Sequence, residues 1–80
     1  MEEKIAVVAI IVNNFENTES VNELLSQYRE HVIGRMGLPV KEKSISVISV
    51  VLRSTLEVIN SLSGKLGMLS GVSCKVLTTK

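Results

Sequence analysis

The chain has 80 residues, with no tryptophan and only one each of cysteine, proline and histidine; Phe15 and Tyr28 are its two aromatic residues. Each scarcity excludes something. A lone Cys74 has no internal partner for a disulfide, which fits a reducing, cytoplasmic setting. With so few aromatic rings there is no platform for stacking nucleic-acid bases. Nine basic and eight acidic side chains leave a net charge of +1, which gives no electrostatic ground for nucleic acid or an anionic membrane as the main partner. Long apolar runs are also missing. Ile5 to Val12 is the strongest, and it falls far short of the roughly 20 residues a membrane helix needs. Acidic residues precede it and Asn13-Asn14 ends it with no small-residue cleavage site, so it does not read as a signal peptide.

What the chain does have is hydrophobic content, 45% of its residues, gathered into strands that look apolar on both faces. Ile5-Ala-Val-Val-Ala-Ile-Ile-Val12 contains no polar side chain. In the segment 44–53, Ile45, Val47 and Val51 alternate with Ile48, Val50 and Leu52. Successive strand side chains point to opposite faces, so both segments are suited to burial above and below. Two amphipathic helices are all that remains to cover them, enough for one layer. The second face calls for another copy or a partner. A core this small supplies only about 3–5 kcal/mol, and oligomerisation is one common reinforcement.

The order of elements follows from pattern. A first strand over 3–13 ends in the loop Asn13-Asn14-Phe15-Glu16-Asn17. A helix capped by Asn17 or Thr18 carries Val21, Leu24, Leu25 and Tyr28 as one stripe. The stretch His31 to Pro39, broken by Gly34 and Gly37, reads as an irregular second strand that Pro39 confines to an edge. After the charged turn Lys41-Glu42-Lys43 comes the third strand. Ser54-Thr-Leu-Glu57 has capping-box spacing and starts a second helix, with Leu56, Ile59, Leu62 and Leu66 as its buried stripe and Gly64 or Gly67 near its end. Gly71 turns the chain into a last strand carrying Val72, Cys74 and Val76 on one face. The order βαββαβ predicts an α+β, ferredoxin-like fold over residues 1–80, with strands 1 and 3 central, 2 and 4 at the edges, and both helices on one face. The open face then carries either Val7 and Ile11 or Ala6, Val8 and Ile10, according to register.

No catalytic constellation emerges, and the expectation is a protein that is not an enzyme and uses no cofactor. His31 and Cys74 lack companions at metal-ligand spacing, so one subunit does not close a metal site; a site shared between subunits stays open. Gly64-Lys65-Leu66-Gly67 fails the phosphate-loop pattern, since Ile59 and Leu66 stand where Gly and Ser or Thr belong. Ser44, Ser46 and Ser49 have no base at a recognisable spacing. An acylphosphatase-like hydrolase would want an arginine-bearing loop after strand 1, and Asn13–Asn17 has no basic residue. Two places remain as candidate ligand-binding residues. Asn13 and Asn14 lie at the carboxyl end of strand 1 before a helix N-terminus, where a small polar ligand or plain turn chemistry explains them equally. Gly34, Arg35 and Gly37 form either an anion clamp with close backbone approach or a bulged edge strand with Arg35 in a salt bridge.

Taken together, Met1-Glu-Glu-Lys-Ile-Ala-Val-Val8, Val32-Ile-Gly-Arg-Met-Gly-Leu-Pro39, Ile45-Ser-Val-Ile-Ser49, Leu62-Ser-Gly-Lys-Leu-Gly67 and Gly71-Val72-Ser73 resemble a family of small bacterial proteins described as regulators of the iron-only hydrogenase system. The resemblance implies a ferredoxin-like domain similar to ACT regulatory domains and to the sensing half of nickel-responsive repressors, which bind small ligands or metal at subunit interfaces. The nickel ligands of those repressors do not carry over to a chain with one histidine, nor does a separate DNA-binding segment. The expectation is a cytoplasmic homo-oligomer, dimer or tetramer, that senses a small ligand at a subunit interface using Asn13, Asn14, Gly34, Arg35 and Gly37. A structural protein–protein interaction module without a ligand is the alternative.

Overall fold

Along the first strand, β1 (Glu3–Val12), even-numbered side chains from Ala6 onward are sealed and odd-numbered ones are wet. Ala6, Val8, Ile10 and Val12 are fully buried, while Ile5, Val7 and Ile11 keep 37–43% of their surface in solvent. This settles the register left open by the sequence: Val7 and Ile11 lie on the open face, and Ala6, Val8 and Ile10 belong to the core. The computed structural model describes residues 2–80.

The chain continues through a 3₁₀ turn (Phe15–Asn17), α1 (Thr18–Gln27), a second turn (Arg29–His31) and β2 (Val32–Val40). A third turn (Lys41–Lys43) leads to β3 (Ile45–Thr55), followed by α2 (Leu56–Gly67) and β4 (Val72–Thr78). The four strands form one antiparallel sheet in the order β2-β3-β1-β4. The two strands rich in apolar residues on both faces are therefore the central ones, and the α+β ferredoxin-like expectation holds. The core lies between the sheet and the helices. Val8 and Val50 face each other across β1 and β3, and they meet Val21 and Leu25 of α1 and Ile59, Leu62 and Leu66 of α2 in one buried cluster.

Local details depart from the pattern reading in three places. The side chain that caps α2 belongs to Thr55, whose Oγ1 accepts from the Val58 N–H at 3.3 Å. Ser54 is instead a buried residue of β3. The strand runs on until its pairing with Glu3 is spent, which moves the cap one residue along. Leu56 is therefore the first helical residue; it overhangs the end of the sheet and is exposed rather than part of the buried stripe. At α1, Asn17 stands at the N-cap position but makes no side-chain cap, and Thr18 is already helical. The capping interaction sits earlier, where Asn14 Oδ1 accepts from the Glu16 N–H at 3.0 Å and starts the 3₁₀ turn.

Candidate functional site

The face of the sheet away from the helices has no cover within the protomer. Ile5, Val7, Ala9 and Ile11 of β1 lie beside Val47 and Val51 of β3 on this side, and the strand register places Met36 and Leu38 of β2 and Leu77 of β4 with them. Met36, Leu38 and Leu77 are 69%, 60% and 75% exposed. Polar groups share this side: Ser49 lies between Ala9 and Met36, Ser73 and Lys75 lie on the edge strand β4, and at one end Arg53 Nε pairs with Glu3 Oε1 at 3.2 Å.

One irregularity assembles this face. A bulge between Val32 and Gly34 inserts an extra residue into β2, so that Val32 opposes Leu52 while Gly34 opposes Val51. Strict alternation from Val32 would have turned Met36 and Leu38 toward the helices and Arg35 outward. A one-residue shift exchanges the faces. The bulge thus adds Met36 and Leu38 to the open apolar surface and sends Arg35, opposite Val50, to the helix side.

There Arg35 Nη2 donates to Asn22 Oδ1 of α1 at 2.7 Å. Among the described residues it has no acidic partner, so an amide takes the place of the expected salt bridge. Arg35 and Arg29 both line a cavity of about 190 Å³ between α1 and the β2–β3 edge, floored by Leu25, Val32 and Val50. No carboxylate lines it.

The residues singled out from the sequence do not gather at one point. Gly34 lies on the open face, whereas Arg35 and Gly37, opposite Val50 and Ile48, lie on the helix side. Asn13 and Asn14 occupy another corner. Arg35 is level with Val8 across β3, so Asn13 is about 16 Å further along and about 10 Å across the sheet. The Asn13 N–H donates to the Gly71 carbonyl at 2.8 Å, tying the end of β1 to the start of β4. Both asparagines thus have turn-building roles.

Titratable groups elsewhere are held by the helices. Tyr28 shares a 2.9 Å hydrogen bond with Ser61 Oγ, and Lys65 Nζ sits 5.4 Å from its ring centroid. The Ser61 bond, helped by Lys65, draws the phenol below its ordinary 10.0 against the opposing effect of burial. Cys74 Sγ donates to the Ser63 carbonyl at 3.7 Å on the helix side of β4, while His31 lies 6.5 Å from the Tyr28 ring beyond α1. Among the described residues there is no group of three or more His, Cys, Asp or Glu placed to hold a metal ion, and no helix is long and apolar enough to cross a membrane.

The fold and the sequence together can be set beside known proteins. A family described as "TM1266-like: Iron-only hydrogenase system regulator, putative" matches residues 4–76. The uncharacterized protein TM1266 from Thermotoga maritima is similar over 99% of this chain and 100% of its own, at 36% identity and a TM-score of 0.93. A formyltetrahydrofolate deformylase from Pseudomonas putida KT2440 shares the fold over 91% of this chain but only 28% of its own, at 13% identity and a TM-score of 0.66. CPII, a nitrogen regulatory PII-like protein from Thiomonas intermedia K12, matches over the full length of both chains at 14% identity and a TM-score of 0.51. At those identities the last two show the fold alone. Among curated proteins, none matches.

Proposed function

The chain belongs to the TM1266-like family, and from that premise we propose that it is a regulatory module of the iron-only hydrogenase system which pairs with its own kind through the open sheet face and responds to a small ligand. One observation carries the pairing: a largely apolar open face on the two central strands and β2, joined by Leu77 of β4 and interrupted by Ser49, with Lys75 and Ser73 along the β4 edge. Seven of its large side chains, Ile5, Val7, Ile11, Met36, Leu38, Val47 and Leu77, each keep between 37% and 75% of their surface wet. Full burial of such a side chain contributes about 1.5–3 kcal/mol, so covering what remains is worth roughly 5–11 kcal/mol. That is comparable with the roughly 4–15 kcal/mol of freedom lost on association, which puts self-pairing within reach of this face.

The module acts by binding rather than by catalysis. The loop after β1 carries no basic residue to bind a phosphoryl group, and the Asn14 side chain is engaged in the turn that opens the 3₁₀ segment. A ligand that favours one arrangement of subunits over another, by its difference in affinity, produces an output without chemistry.

Sedimentation equilibrium tests the pairing. The native chain is expected to associate at micromolar concentration. Val47→Lys, which puts a charge on the open face of the central strand β3 between Ile11 and Leu38, is expected to sediment as a monomer with unchanged circular dichroism. A native chain that stays monomeric would transfer the face to a different protein partner.

A further inference from the structure

We propose that the cavity between α1 and the β2–β3 edge binds a small organic carboxylate through Arg29 and Arg35. This deepens the ligand-sensing part of the proposed function and rests on it, but places the ligand within the protomer, on the opposite side of the sheet from the pairing face.

Two arginines line the same cavity from different elements. Arg29 comes from the turn after α1, and Arg35 is brought to the helix side by the β2 bulge. Among the described residues neither is paired with a carboxylate. Asn22 takes a single hydrogen bond from Arg35 and contributes no charge. It fixes the guanidinium against α1 and leaves most of the five N–H donors free. Two planar cations around one cavity match a carboxylate, which accepts parallel N–H bonds from such a fork. Ser26, also on the lining, adds a hydroxyl.

The floor selects among anions. Val32, half-buried, offers apolar surface to the cavity, above Leu25 and Val50, which are sealed in the core. An inorganic anion would leave this apolar surface unused, whereas a short hydrocarbon chain covers it. At about 190 Å³ the cavity lies below the roughly 300–1,000 Å³ typical of drug-sized sites, so the ligand is small.

Succinate is the probe, with inorganic phosphate at matched ionic strength as the control, and binding is followed by amide chemical shifts in the full chain. Succinate is expected to give saturable shifts centred on Asn22, Ser26, Val32 and Arg35, and phosphate none of comparable size. Arg35→Met keeps the aliphatic stem over the cavity, and Arg29→Gln changes a residue in an exposed turn; each is expected to weaken succinate binding about tenfold. Should Arg35→Met disturb β2, Arg29→Gln alone decides. Shifts that do not saturate, that centre elsewhere, that phosphate reproduces, or that survive both substitutions would overturn the proposal. Sedimentation separates the two readings. An oligomer that ignores succinate ends only the ligand assignment, and a monomer that binds it ends only the pairing.

Discussion

Gly71 shows how much one backbone position can decide. Its φ of +71° lies in the left-handed region, and a Cβ there would come within 2.7 Å of Asn17 Nδ2. The turn from α2 into β4, and the hydrogen bond from the Asn13 N–H, depend on this conformation. Gly71→Ala is expected to cost about 1–3 kcal/mol in urea denaturation, from strain and the displaced Asn17 side chain. Tyr28 offers a residue-scale test in pH. The Ser61 hydrogen bond, with Lys65 nearby, favours the phenolate in the folded chain and lowers the group from 10.0. A group whose folded pKa is depressed contributes stability that grows as pH rises from the folded value toward 10, is complete above it, and is lost as pH falls back through the folded value. Tyr28 is the only tyrosine and there is no tryptophan, so ultraviolet absorbance follows it alone. The native titration midpoint should lie below 10, and Ser61→Ala should move it back upward.

At the scale of elements, the cap of α2 can be read directly. Thr55→Ala should cost about 1 kcal/mol by removing the Oγ1 acceptor of the Val58 N–H. Ser54→Ala should cost clearly less, because Ser54 lies in β3 and caps nothing; thermal denaturation of the two variants compares them. That one-residue difference shows where sequence reading stops. Ser54 and Thr55 have equivalent cap chemistry, and the choice between them was made by how far β3 pairs with Glu3, which is a tertiary fact. The strands themselves were legible because Ile5–Val12 and Ile45–Leu52 carry apolar residues at both parities, and βαββαβ order then leaves few topologies. The site was much less legible. Gly34 and Gly37 hint at a bulge but do not say which residue is inserted, and the side of the sheet reached by Arg35 turns on that insertion. In the sequence Arg29 is only a charge near the end of a helix, since its nearness to Arg35 arises only when β2 folds back beside α1. Two basic residues flanking a helix-to-strand turn are the one signal that pointed to it.

Across the whole molecule, the two sides of the sheet divide the work of the proposed regulator. The helix side holds the core and the arginine cavity, and the open side holds the apolar surface for pairing. Val50, on the core side, and Val51, on the open side, are neighbours on β3, so a change in packing under α1 has a short path to the pairing face. Coverage of that face is the central claim, and the solvent exposure of its methyl groups tests it most directly. A soluble paramagnetic chelate broadens methyl resonances in proportion to their access to water, and Met68, 86% exposed and away from the sheet, supplies the internal standard. At concentrations where the chain associates, the methyl groups of Val7, Ile11, Val47, Met36 and Leu38 should be protected while Met68 is strongly broadened. Met36 and Leu38 methyl groups broadened as strongly as Met68 would contradict pairing through this face.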